Sequence, residues 1–106
     1  MFKINERPEF TRTVTVMTPE GDGHREDTLI ATYRVTETDE REVVTRKGMV
    51  AFLREAIVHL GDIADAEGNP LEYSAEVRDA VLASDGARLA LMRKYSEEAT
   101  RLKLGN

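Results

Sequence analysis

The chain has 106 residues, 41% of them apolar and 33% charged, which is enough apolar surface for one modest core and too little length for a second domain with its own cleft. A formal net charge of -5, from 20 acidic and 15 basic side chains, works against the phosphate contacts that supply nucleic-acid affinity, and the absence of cysteine excludes disulfides, thiolate zinc sites and a cysteine nucleophile. Residues 1–8 lack the apolar run of a signal peptide and no stretch reaches the ~20 apolar residues that span a bilayer, so a single soluble domain that stays where it is made, with neither nucleic acid nor membrane as partner, is expected.

Phe10 to Met17 alternates and is rich in β-branched residues, with Phe10, Val14 and Val16 on one face and Thr11, Thr13 and Thr15 on the other, the pattern of a half-buried strand. Thr18 to His24 holds Pro19, Gly21 and Gly23, residues that favour a reversal of the chain. Asp27 to Val35 alternates again, with Leu29, Ala31, Tyr33 and Val35 on one side, so the two runs pair as an antiparallel hairpin. Two strands alone are marginal, and residues 2–4 are a candidate third.

From Thr36 the period changes. Thr36 or Thr38 can cap a helix whose first turn carries Glu37, Asp39, Glu40 and Glu42, the acidic residues that a helix N-terminus favours, with a break expected near Gly48. Met49, Phe52, Leu53, Ala56, Ile57 and Leu60 fall at spacings of three and four, predicting the main core helix over 49–60, closed by Gly61. Residues 62–73, with Gly68, Asn69 and Pro70, read as a polar loop anchored by Ile63 and Leu71. Ser74 caps a short helix through Ala83 with Val77, Ala80 and Val81 inward. Ser84 or Asp85 caps a last helix in which Leu91, Met92, Tyr95, Ala99 and Leu102 repeat.

The expected architecture is therefore α+β: an N-terminal antiparallel β-hairpin, open to a third strand, followed by three or four packed α-helices. One domain covers residues 1–106, β-rich over 1–35 and helical over 36–104.

Candidate chemistry is thin. Gly21 and Gly23 begin a dinucleotide fingerprint, but Glu26 replaces its third glycine and the flanking strands are antiparallel. In an EF-hand register over the acidic loop, Asp65, Glu67 and Gly68 fit, but Ile63 and Ser74 occupy places that need oxygen ligands, the last a bidentate carboxylate. His24 and His59 are 35 residues apart with no second histidine at helical spacing for a metal pair; His59 near a helix end suits the carbonyl dipole there. Ser74, Ser84 and Ser96 lack the setting of a nucleophile elbow, and the adjacent acids Asp39-Glu40 and Glu97-Glu98 point apart on a helix. No catalytic residue, metal or cofactor is assigned, and binding to other proteins is the expected mode of action.

Charge is uneven. Thr18 to Glu42 holds 8 acids and 3 bases, Asp62 to Asp85 holds 7 and 1, and Gly86 onward 2 and 5. Acids and bases placed where helix ends favour them account for much of this, while an acidic middle facing a basic end also gives copies of the chain a head-to-tail polarity.

The order of features resembles a known family. The stretch Gly61-Asp-Ile-Ala-Asp-Ala-Glu-Gly-Asn-Pro-Leu-Glu-Tyr-Ser74, preceded by Phe52-Leu-Arg-Glu-Ala-Ile-Val58 and followed by Arg88-Leu-Ala-Leu-Met-Arg-Lys-Tyr-Ser96, is similar to that of tail assembly chaperones of long-tailed, siphovirus-type bacteriophages, where an acidic Gly-x-Pro-Leu loop leads into a serine-capped helix. The resemblance spans Phe10 to about Thr100. It implies a protein of the bacterial host cytoplasm that binds the tape measure protein during tail assembly, with the major tail tube protein as a further contact, that is absent from the finished virion and needs no cofactor. The ending Leu104-Gly105-Asn106 is compatible with the frameshifted longer form that many members have. A structural minor tail or head-tail joining protein retained in the particle is the alternative. Val43, Val44, Met49, Leu71, Leu91 and Tyr95 are the apolar candidates for partner contact, with self-association into a head-to-tail spiral.

Overall fold

The computed structural model describes residues 1–4 and 7–103. The chain forms β1 (Glu9–Glu20), β2 (Gly23–Arg34), a 3-10 turn (Glu40–Glu42), α1 (Arg46–Ala56), β3 (Ile57–Gly61), α2 (Ala75–Ala83) and α3 (Asp85–Lys103). The result is α+β: one antiparallel sheet of order β1-β2-β3 with the helices packed on one of its faces.

The hairpin forms with longer strands and a tighter turn than the Thr18 to His24 loop expected. Pairing continues to Glu20↔Gly23, leaving Gly21 and Asp22 as a two-residue turn. Gly21 has φ +60°, as the first central position of a type II′ turn requires. Phe10, Val14, Val16, Leu29, Ala31 and Tyr33 are buried on the helix side, and Thr11, Thr13 and Thr15 face outward as the alternation predicts. Most of residues 17–28 are exposed, so the hairpin tip projects past the helical layer and stretches the molecule to 49 × 27 × 26 Å.

The third strand is not residues 2–4, which form none; it comes from the expected core helix. Helix α1 stops at Ala56, where Ile57 turns to ψ 121°, and Ile57–Gly61 pairs with β2. A register shift between Thr32 and Tyr33, which oppose His59 and Ile57, leaves Val58 as an extra residue, the mark of a bulge. The bulge resets the alternation, so Ile57 and Leu60, three apart, both face the core. Gly61 ends this strand rather than a helix. His59 lies exposed on it with its ring 5.1 Å from that of Tyr73, not at a helix C-terminus.

The acidic helix expected after Thr36 is reduced to the 3-10 turn, capped by Asp39, whose Oδ1 accepts the Arg41 N–H at 3.0 Å. Thr36 caps nothing. Its buried N–H donates to Tyr95 Oη at 3.0 Å and its hydroxyl to the Thr38 carbonyl at 3.0 Å. The true cap of α1 is Thr45, whose Oγ1 accepts the Gly48 N–H at 2.9 Å. A Cβ at Gly48 would lie 2.9 Å from that same oxygen, so this glycine lets the cap close instead of breaking the helix.

Ser74 caps α2 as expected, its Oγ accepting the Val77 N–H at 3.1 Å. Leu82 is the buried residue of this helix; Val77 and Val81 are partly buried and Ala80 is exposed, because the helix lies at the margin of the core. Ser84 lies before α3 with its Oγ 3.5 Å from the Ala87 N–H. Leu91, Met92, Tyr95 and Ala99 are buried as the spacing predicts, whereas Leu102 is exposed. The continuation of the last helix to Leu104 and the closing Leu-Gly-Asn lie outside the described residues.

Four aromatic rings knit the layers together. Phe10 stacks on Tyr33 at 5.2 Å, Tyr33 meets Tyr95 edge-on at 5.6 Å, and Phe52 meets Tyr95 edge-on at 5.0 Å. Tyr33 Oη donates to the Leu91 carbonyl at 2.8 Å, joining β2 to α3. Burial pushes the Tyr33 hydroxyl pKa well above its ordinary value, which keeps it a donor. Arg88 is also buried, its guanidinium donating to the Leu82 carbonyl at 3.0 Å and to Asp85, so α2 and α3 are clasped at their junction.

Candidate binding surface

Among the open grooves of the described residues, two hold apolar contact candidates. The first, about 360 Å³, runs between the segment after the 3-10 turn and α1, with Val43, Val44, Ala51 and Phe52 as its apolar lining and Glu42 and Glu55 as acidic lining. Tyr95 ties the two sides of it to the core. The tyrosine hydroxyl holds Thr36, from which the 36–45 segment departs, and its ring packs on Phe52. Val43 tucks partly into the core, while Val44, its neighbour, points outward and is 80% exposed.

The second groove, about 390 Å³, lies between the 62–73 loop and α2, lined by Ile63, Leu71, Val77, Ala80 and Val81 with Asp65 and Glu76 as acidic lining. The loop is closed by itself. Ala64 pairs with Pro70, the Leu71 N–H donates to the Ile63 carbonyl at 2.8 Å, and Gly68 takes φ +85°. Asp65 Oδ1 accepts the N–H groups of Glu67 at 3.0 Å and Asn69 at 2.9 Å, and Oδ2 accepts from the Asn69 amide. These bonds, the Asn69 backbone first, hold the Asp65 carboxyl below its usual pKa. Asp65, one of the two carboxylates in the EF-hand register, thus uses its oxygens within its own loop. Leu71, 41% exposed, stands at the rim.

Of the six contact candidates, the structure thus brings Val43 and Val44 to one groove and Leu71 to the other. Met49 packs partly buried against the core. Leu91 and Tyr95 are 0% exposed and are out of a partner's reach in this fold; they are core residues, and Tyr95 shapes the first groove from behind. Ala51, Phe52, Val77 and Val81 line the grooves but were not among the candidates, since a helical stripe does not reveal which of its edges stays open.

The acidic middle is partly neutralised within the chain. Asp79 pairs with Arg78 and Arg54, each at 3.1 Å, and Asp85 with Arg88. Hydrogen bonds from Arg78, then Arg54, lower the Asp79 pKa, and Arg88 lowers that of Asp85. Glu98, buried on α3, lies 3.3 Å from Arg12 on β1 and 3.7 Å from Arg101. Among the described residues, no three His, Asp or Glu side chains gather at metal-binding distances, and no helix is long and apolar enough to cross a membrane. Compared with known protein families, curated proteins and solved structures, the chain matches none.

Proposed function

We propose that this chain is a tail assembly chaperone of a long-tailed bacteriophage or prophage, binding the tape measure protein in the host cytoplasm and leaving before the virion is complete. The observation that carries the reading is the pair of open apolar grooves with Val44 and Leu71 at their margins. A tape measure protein is a long helical rod whose apolar stripes need cover until the tail tube encloses them, and an amphipathic helix laid in an apolar groove is a common recognition mode. The resemblance of residues 61–74, with residues 52–58 before them and 88–96 after, to the chaperone family supports the same reading. Shallow grooves suit weak binding per copy, so that many copies coat the rod and are later displaced. Contacts between successive copies, acidic middle to basic C-terminal helix, complete the proposal.

The test is co-expression with the long helical protein encoded downstream in the same genome. The wild-type chain keeps that protein soluble; Val44→Asp and Leu71→Asp each weaken capture roughly tenfold or more, since burying such a side chain contributes about 1.5–3 kcal/mol. Val44→Asp retains the wild-type melting temperature because Val44 is 80% exposed, and Leu71→Asp is compared at a temperature where circular dichroism shows it fully folded, since Leu71 is only 41% exposed. Unchanged capture by both variants refutes the groove assignment. Mass spectrometry of purified particles finds no copies of a chaperone, whereas a fixed copy number identifies a structural tail or joining protein instead.

A further inference from the structure

The geometry points to a second binding surface, independent of the grooves: we propose that the outer edge of β1 accepts an extended, acidic segment of a partner protein as a fourth strand. Among the described residues β1 is an edge strand, paired only with β2. The phase of that pairing is fixed at both ends. The Val35 N–H donates to the Pro8 carbonyl at 2.9 Å, and the two-residue turn closes on Glu20↔Gly23, which makes the even-numbered residues of β1 the hydrogen-bonded set. The N–H and C=O groups of Thr11, Thr13 and Thr15 consequently point away from the sheet.

The two ends of this edge are closed and the middle is open. The Thr11 carbonyl accepts from the Arg12 guanidinium at 2.8 Å. Toward the hairpin tip, a Cβ on Gly86 of α3 would lie 3.1 Å from the Met17 carbonyl oxygen, so the helix start covers the strand there, and Pro19 has no N–H to offer. Between them, the edge at Thr13 and Thr15 borders a narrow trough of about 170 Å³, whose far wall is Ala90, Arg93, Lys94 and Glu97 of α3. A trough with a strand edge on one side and a helix on the other fits an extended chain, which pairs by its backbone and directs alternate side chains at the helix.

Charge selects the occupant. Arg88 and Arg101 of α3 are ion-paired, but among the described residues Arg93 and Lys94 form no ion pair within 4.0 Å. Glu97 offsets one of the two charges and the wall remains net positive, in a chain whose overall charge is -5. Acidic side chains on the incoming strand meet these cations. A second copy pairing edge to edge brings two such walls together and is disfavoured. Charged residues beside an edge also serve simply to repel strand addition, and the experiment separates the two roles.

The full chain, 15N-labelled, is titrated with a terminally blocked octapeptide of alternating glutamate and valine. Binding shifts the amide resonances of residues 11–15 and slows hydrogen exchange at Thr13 and Thr15. The double variant R93Q/K94Q, which removes both charges without setting like charges against Glu97 and Glu98, weakens it about fivefold at an unchanged melting temperature, and 0.5 M salt weakens the wild-type complex similarly. The same peptide N-methylated at alternate amides does not bind, nor does its lysine counterpart. Absence of any shift at millimolar peptide overturns the proposal, as does equal binding of the N-methylated peptide, or binding of an oligothymidylate in preference to the acidic peptide.

Discussion

Replacing Tyr95 by Phe isolates one oxygen at the centre of the fold. The ring and its contacts with Phe10, Tyr33 and Phe52 remain; what disappears is the acceptor for the Thr36 N–H. The Thr36 hydroxyl has its single proton on the Thr38 carbonyl, so its 3.3 Å contact with Tyr95 Oη is a bond donated by the tyrosine. Thr36 is only 6% exposed, which keeps water from replacing the lost partner. A buried donor left unpaired costs about 1–3 kcal/mol. For a domain of this length the unfolding entropy is about 0.2 kcal/mol/K, so Tm falls by roughly 5–14 °C. Tyr33→Phe is the control, because the Leu91 carbonyl that loses its bond from Tyr33 lies inside α3 and still accepts an intrahelical N–H, leaving a net loss of about 0.5–1.5 kcal/mol. Urea unfolding of both variants and amide exchange at Thr36 are the assay. If Y95F loses no more stability than Y33F, or if the Thr36 amide stays equally protected, Tyr95 does not pin the 36–45 segment and the account of the first groove fails.

Two further outcomes follow from single groups. Ser74→Ala removes the acceptor for the Val77 N–H at the start of α2 and costs about 0.5–2 kcal/mol in urea unfolding, with loosening at the second groove visible as faster exchange at Val77. Tyr33 has a folded pKa raised by burial above its unfolded value of about 10, so its contribution is complete below pH 10 and is lost as the pH climbs toward the folded value. Unfolding free energies from urea titrations at pH 8 to 11.5 therefore fall above pH 10, by up to about 1.4 kcal/mol per pH unit for this one proton, and Tyr33→Phe flattens that part of the profile.

Local chemistry set much of what the chain does. The alternation of Phe10 to Val16 and Leu29 to Tyr33 determined a hairpin and its inner face, since a period of two leaves only one way to bury those side chains. Ser74 marked the start of α2, and the spacing of Leu91, Met92, Tyr95 and Ala99 marked the inner face of α3. Of the contact candidates, Val43, Val44 and Leu71 reach the grooves because short segments next to caps and loops have few ways to bury every apolar group. Three matters were decided only by the tertiary structure. Residues 57–60 carry a spacing of three that suits a helix and a bulged strand equally, and the unpaired edge of β2 settled it in favour of the strand. Tyr95 and Leu91 show the same apolar periodicity whether they face a core or a partner, and only packing against the sheet assigns them to the core. The open edge of β1 beside Arg93 and Lys94 is a juxtaposition of residues about 80 apart in sequence; no local pattern records it, because hydrogen-bonding groups of a backbone are the same in every residue and only the absence of a neighbour leaves them free.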